Sequence, residues 1–182
     1  MTTKGTSAEV RGTRESLDPA DARAPQFGTV GTDVTVRPVR DEERPAWIEA
    51  SRRGYARAVE EQGGFTGEAA ARKADEDIAA ALARPGSALY VVEASETPVG
   101  RLWLAERESA GHRTLFIYDI QIDPAHRGRG YARAAMAFVD EEARRRGIGR
   151  IELHVFGSNQ VARSLYRSAG YTEVSVLMRK DL

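Results

Sequence analysis

The stretch Asp123-Pro124-Ala125-His126-Arg127-Gly128-Arg129-Gly130-Tyr131-Ala132-Arg133 constrains this chain more than any other. Before it, Leu115 to Ile122 is an apolar run long enough for a buried central strand. After it, Ala132, Ala135, Met136, Val139 and Ala143 recur at helical spacing. The chain must therefore turn sharply from a core strand into a core-packed helix. Gly128 and Gly130 permit the backbone conformations and close approach that side chains resist. The first helical turn offers unpaired N–H groups and the positive end of the helix dipole. Arg127, Arg129 and Arg133 add positive charge, so a phosphate or pyrophosphate suits the turn. The Gly-Lys-Ser/Thr of a Walker loop is absent, and the third glycine of a dinucleotide fingerprint is replaced by Arg133. A nucleotide-binding protein, or a plain glycine loop with solvated arginines, stays open at this point.

Around that turn, period-2 and period-3.6 patterns set an order of elements. Val34 to Val39 alternates as a first strand, and Asp41 is placed to cap the helix that follows. Glu42 to Arg84 is helical, interrupted at Gln62 to Gly67, with Trp47, Ile48 and Tyr55 on one side of its first half. Ala88 to Ala94 and Val99 to Ala105 form a hairpin across Ser95 to Pro98. The central strand and its helix, Tyr131 to Arg146, come next. A strand over Arg150 to Phe156, a short helix over Asn159 to Ser168 and a last strand over Tyr171 to Met178 complete the chain. This order predicts an α/β (α+β) fold, a mixed and mostly antiparallel central sheet flanked by helices. Residues 1–32 carry almost no large hydrophobes and are expected to form a flexible tail, leaving 33–182 as one domain.

Composition removes several function classes. Lys plus Arg and Asp plus Glu balance at 27 each, so no global basic field points to nucleic acid. Arg144-Arg145-Arg146 ends a helix, where cations favour the dipole. The chain has no cysteine, which excludes disulfides, thiolate metal sites and a cysteine-bound acyl intermediate. The three histidines lack metal-ligand spacing, and no metal is expected. There is no apolar run of membrane-spanning length and no signal-like h-region, so a cytoplasmic location with no membrane partner is expected.

Arg127-Gly128-Arg129-Gly130-Tyr131-Ala132 resembles the Arg/Gln-x-x-Gly-x-Gly/Ala pyrophosphate turn of the GNAT acetyltransferase superfamily. A second segment, Asn159-x-x-Ala162-x-x-Leu165-Tyr166-x-x-x-Gly170-Tyr171, is similar to that family's later signature at each of these positions. The likeness runs from about Val34 to the C-terminus. It implies acetyl-CoA as co-substrate, bound in the splay of a strand pair. The backbone of Ile120, Gln121 and Ile122 would take the pantetheine arm, and the N–H groups from Gly128 to Arg133 the pyrophosphate. Asn159 would bond the pantetheine arm, a role compatible with capping its helix. The resemblance implies a primary-amine acceptor, on a small molecule or a protein, that neither motif identifies. Dimers are common among similar proteins, which leaves a homodimer open.

Transfer needs a neutral amine, stabilisation of the oxyanion and a proton for the departing thiolate. The resemblance places the Tyr166 phenol beside the sulfur as general acid. His154 shares a strand face with Glu152 and Phe156 and stands where some relatives carry a base; Asp119, in the central strand, competes for that role or fixes a strand bulge. A water relay is the third option. With no cysteine to hold the acyl group, direct transfer in a ternary complex is expected. The segment holding Trp47, Tyr55, Glu60, Glu61 and Phe65 is expected to shape the acceptor pocket. The alternative to an enzyme is an acyl-CoA sensor without turnover.

Overall fold

The computed structural model describes residues 34–180; the tail expected at 1–32 lies outside them. Five strands form one sheet in sequence order: β1 (Val34–Pro38), β2 (Ala88–Ala94), β3 (Thr97–Ser109), β4 (His112–Ile122) and β5 (Ile151–Leu153). All neighbours are antiparallel except β4 and β5, which run parallel. That parallel step requires a crossover, and α3 (Tyr131–Arg145) supplies it. Two further helices, α1 (Arg44–Gly63) and α2 (Gly67–Leu82), lie between β1 and β2, and α4 (Gln160–Ser168) follows β5.

Alternation along the strands divides the core between the two faces of the sheet. Val92, Leu102, Leu104, Leu115 and Ile117 pack with Ala135, Met136 and Val139 of α3. Leu89, Val91 and Trp103 pack on the opposite face with Trp47 of α1 and Ile78 and Ala81 of α2. Trp47 meets Trp103 edge-on at 6.1 Å between ring centroids, and its indole N–H donates to the Tyr90 carbonyl at 3.0 Å.

Several boundaries differ from the sequence reading for identifiable reasons. Asp41 caps nothing: α1 begins after Glu43, whose carboxylate accepts from the Arg40 N–H at 2.9 Å and from Arg37 at 2.7 and 2.8 Å. The β2–β3 hairpin closes in two residues, Ser95 and Glu96, both with positive φ, so Thr97 and Pro98 join β3. Such a turn matches the right-handed twist of the strands. β3 and β4 also extend through Ser109 and His112, where the outward residues are polar and show no apolar pattern. Conversely, Arg150 to Phe156 forms a strand only at Ile151–Leu153, and Tyr171 to Met178 forms none. Val174, Val176, Leu177 and Met178 are exposed, because an alternating pattern becomes a strand only where an edge receives it.

Buried charge ties the elements together. Glu142 of α3, 5% exposed, accepts from Arg145 and Arg146 at 2.6 to 2.7 Å and from the Tyr90 hydroxyl at 3.2 Å. Arg146 also donates to the Gly86 carbonyl at 2.9 Å, and Arg113 donates to the Arg146 carbonyl at 3.0 Å. Burial pushes the Glu142 carboxyl up, but the two guanidinium groups outweigh it and leave it below its ordinary value. The basic run read as a helix-dipole partner is thus largely a clamp on one buried carboxylate.

Two stability predictions follow from these charges. Glu142→Ala removes the nearer of two carboxylates from the largely buried Arg146 side chain, whose other partner, Glu106, stands at 3.6 Å, and should cost about 1–3 kcal/mol in urea denaturation. Hydrogen bonds from Arg37 hold Glu43 at about 2 against an ordinary 4.5, so its contribution is complete above pH 4.5 and is lost as pH falls towards 2. Burial first, and a neighbouring carboxylate second, push Tyr90 and Tyr166 up to about 12 from an ordinary 10.0. Their support is complete below pH 10 and is lost as pH rises to 12, so the urea midpoint should plateau between these limits and fall on either side.

Candidate active site

The sheet opens at one place. β5 pairs with β4 only through Leu115, Phe116 and Ile117. From Tyr118 to Ile122, β4 continues against β3 with no partner strand on its β5 side among the described residues. The register of β3 against β4 slips between Trp103 and Leu104: these residues oppose Asp119 and Ile117, leaving Tyr118 as the extra residue of a bulge. A bulge resets the side-chain alternation. Tyr118 packs towards α1 and α2, and Asp119 then meets α1 as well instead of entering the α3 core. Ile120 and Ile122 pack with the α3-side cluster.

On the α1 side, the Ser51 hydroxyl and Arg101 Nε both donate to Asp119 Oδ2, at 2.7 and 2.6 Å. Arg101 Nη2 donates to Gln121 Oε1. Ser51 is buried, while the Arg101 and Asp119 side chains retain 13% and 19% of their exposure. Asp119 directly follows the bulged Tyr118, and its carboxylate is fixed by two donors. Ser51 and Arg101 escaped sequence reading. Neither belongs to a motif, and they lie 68 and 18 residues from Asp119.

Tyr166 lies on α4, partly buried against the α3-side cluster and 5.9 Å from Tyr171 between ring centroids. Burial first, then the charge of Asp119, raises its phenol to about 12. Burial also raises Tyr171, whose hydroxyl oxygen is enclosed without a hydrogen-bond partner among the described residues. His154 follows β5 directly and is exposed. Asn159 caps α4, its side chain accepting from the Ala162 N–H at 3.1 Å.

The glycine turn has the form the sequence implied. Gly128 and Gly130 adopt φ of +76° and +84°, and a Cβ built on either would meet nothing within 4 Å. Backbone conformation demands glycine there, and the space above both is open. Gly130 is the N-cap of α3 and brings no side-chain cap. The first helical bond runs from the Ala134 N–H to the Gly130 carbonyl at 3.1 Å, so the helix's earlier donors at Tyr131, Ala132 and Arg133 face outward unclaimed by the helix. Arg127 Nε donates to the Ile122 carbonyl at 3.1 Å, which fastens the turn to the end of β4; Arg129 and Arg133 are exposed. An uncapped helix end, two left-handed glycines and basic side chains fit a diphosphate.

The expected acceptor segment is largely committed to structure. Trp47 is in the core, the Tyr55 hydroxyl donates to Asp77 at 2.7 Å, and Glu60 accepts from the Gly67 N–H at 2.8 Å. Phe65 is exposed, with the Lys73 ammonium 5.7 Å from its ring centroid. A depression of about 220 Å³ lies between α1 and the sheet, lined by Trp47, Ala50, Val91, Gly100, Arg101 and Asp123 among others. Among the described residues no cluster of His, Asp or Glu could hold a metal ion, and no helix is long and apolar enough to cross a membrane.

Known proteins share this fold. An N-acetyltransferase of Bacillus subtilis, the uncharacterized YycN, is 43% identical over 84 residues, 46% of this chain and 54% of its own length. Its crystal structure superposes with a TM-score of 0.74 at 30% identity, covering 82% of this chain and 98% of that one. A mycothiol acetyltransferase of Thermobispora bispora is 32% identical over 151 residues, 80% of this chain and 48% of that protein. The chain thus spans about half the length of these curated relatives. A predicted acetyltransferase of Clostridium acetobutylicum solved with acetyl-CoA has the same fold, with a TM-score of 0.55 at 16% identity over 81% of this chain and 96% of that one. The profile of the acetyltransferase (GNAT) family matches residues 39–171, and with the parted strands and the glycine turn already in place, the chain belongs to that family.

Proposed function

We propose that the protein is an N-acetyltransferase that moves an acetyl group from acetyl-CoA to a primary amine in a ternary complex. The observation that carries this reading is the pairing of an uncapped, glycine-led α3 with the unpaired edge of β4 at 118–122. The first suits a diphosphate and the second an extended arm that hydrogen-bonds to backbone. Gly128 to Arg133 would hold the pyrophosphate, Ile120, Gln121 and Ile122 the pantetheine arm, and Asn159 would add a contact from the start of α4. An acetyl-CoA complex of the same fold supports that choice of donor. A cytoplasmic location accords with this substrate.

The chain's own groups then divide the proton work. The amine nitrogen attacks the thioester carbonyl, the carbon–sulfur bond breaks, one proton leaves nitrogen and one reaches sulfur. A backbone N–H on the open edge of β4 can serve the oxyanion. Tyr166, raised to about 12, is wholly protonated at neutral pH, so its phenol always presents a donor to the developing thiolate. Asp119, on the sheet face opposite the α3 core, takes the amine proton in this reading. His154, exposed beyond the end of β5, is the competing candidate for that proton. The acceptor is an amine on a small molecule or a protein, and the mycothiol acetyltransferase relative supports including small-molecule amines.

Free-thiol release from acetyl-CoA against a panel of amines (an amino acid, a polyamine, an aminoglycoside and an alanine-initiated peptide) tests the proposal. Binding of coenzyme A without turnover on any of them would make the protein a sensor. No calorimetric heat with coenzyme A from folded protein would remove the donor assignment. Tyr166→Phe should lower kcat by about 10²- to 10⁴-fold while leaving coenzyme A affinity unchanged. Gly130→Ala forces about 1–2 kcal/mol of left-handed strain, so coenzyme A should bind roughly 5- to 30-fold more weakly as the turn relaxes.

A further inference from the structure

Both donors to Asp119 converge on a single oxygen. Ser51 Oγ and Arg101 Nε bond Oδ2, and Oδ1 takes no hydrogen bond from the described residues. Arg101 is itself held from its other end, where Nη2 donates to Gln121 Oε1. The register explains the alignment: Arg101 opposes Gln121 and Trp103 opposes Asp119 on the same sheet face, just past the bulge. α1 brings two small residues, Ser51 and Gly54, against this group. A Cβ on Gly54 would stand 2.8 Å from Arg101 Nη2 and 3.3 Å from Gln121 Oε1. Glycine in the interior of a 20-residue helix runs against helix propensity, where alanine is the better residue. Its φ is not in the left-handed region, so the backbone makes no demand for it. What glycine provides there is room for a guanidinium.

We propose that Arg101, seated in the space left open by Gly54 and braced by Gln121, is a positioning residue that, together with Ser51, anchors Asp119 by Oδ2 and leaves Oδ1 free to receive the acceptor amine. The inference rests on the reading of Asp119 as proton acceptor given above. A half-buried carboxylate with one oxygen tethered cannot rotate away, and its remaining lone pairs are the acceptor sites for an incoming N–H. Fold stability alone does not require the pair, since a partly buried ion pair is replaceable by apolar side chains at little cost. The arrangement also sets a preference in the acceptor: the group delivered to Oδ1 must be an N–H donor, which suits an amine and disfavours a carboxylate or phosphate.

Gly54→Ala is the discriminating variant. The methyl group displaces only the far end of a flexible side chain, so the protein should fold with an unchanged or raised Tm, while Arg101 leaves Asp119. Thiol release is measured from acetyl-CoA with three probes, spermidine, an alanine-initiated tripeptide and an aminoglycoside, and coenzyme A affinity is measured in parallel by calorimetry. We expect kcat to fall at least tenfold in Gly54→Ala and in Arg101→Gln, with coenzyme A affinity unchanged and with partial recovery in Arg101→Lys. In an Asp119→Asn background, Gly54→Ala should cause no further loss. Wild-type kcat in both Gly54→Ala and Arg101→Gln, or an equal loss in the Asp119→Asn background, overturns the inference and leaves the acetyltransferase reading standing. Absence of transfer by the wild-type protein onto all three probes overturns that reading first and this one with it. Should Gly54→Ala fail to fold, the contrast between Arg101→Gln and Arg101→Lys decides, and equal activity in the two overturns it.

Discussion

The parting of β4 from β5 after Ile117 is the constraint on which the rest of this molecule depends. Two parallel strands that stay together have no free backbone between them, and a sheet without free backbone has nowhere to lay an extended ligand. The bulge at Tyr118 bends and twists β4 just where β5 is lost. It also turns Asp119 towards α1, so the site acquires a carboxylate at the same step that exposes its backbone. One extra residue thus couples the open backbone edge of β4 to the carboxylate of Asp119.

The remaining elements hold that opening at a fixed width. α3 packs along one face through Ala135, Met136 and Val139, and the clamp of Arg145, Arg146 and Tyr90 on Glu142 fixes its far end. Its near end is left without a cap, and Arg127 ties the approaching turn to the last carbonyl of β4. On the other face, α1 is anchored by Trp47 in the core and by Glu43 on the buried Arg37 of β1. The helix that bears Ser51 and Gly54 is therefore set against the bulge by contacts made elsewhere along its length.

The glycine turn and the α4 motif were legible because each depends on residue type at short spacing. Gly128 and Gly130 are needed for positive φ, and Asn159 for a cap three residues upstream of Ala162. Element order was legible for the same reason, with period 2 and period 3.6 separating strands from helices. Ends of elements were less so: Thr97 and His112 enter strands through backbone pairing that polar side chains do not announce. The opposite error occurred at Tyr171 to Met178, where alternation suggests a strand and no edge pairs with it.

The amino-acid order by itself determined the family resemblance, the glycine turn and the candidacy of Tyr166 and Asp119, since all are local patterns written in consecutive or regularly spaced residues. Tertiary structure alone decided which face Asp119 occupies, because one bulged residue reverses every side chain beyond it. It also decided that Arg101 and Ser51, far apart in the chain, meet on one carboxylate oxygen. Distance in space between residues on different elements is set by packing of whole helices and strands, and no short window of sequence contains it.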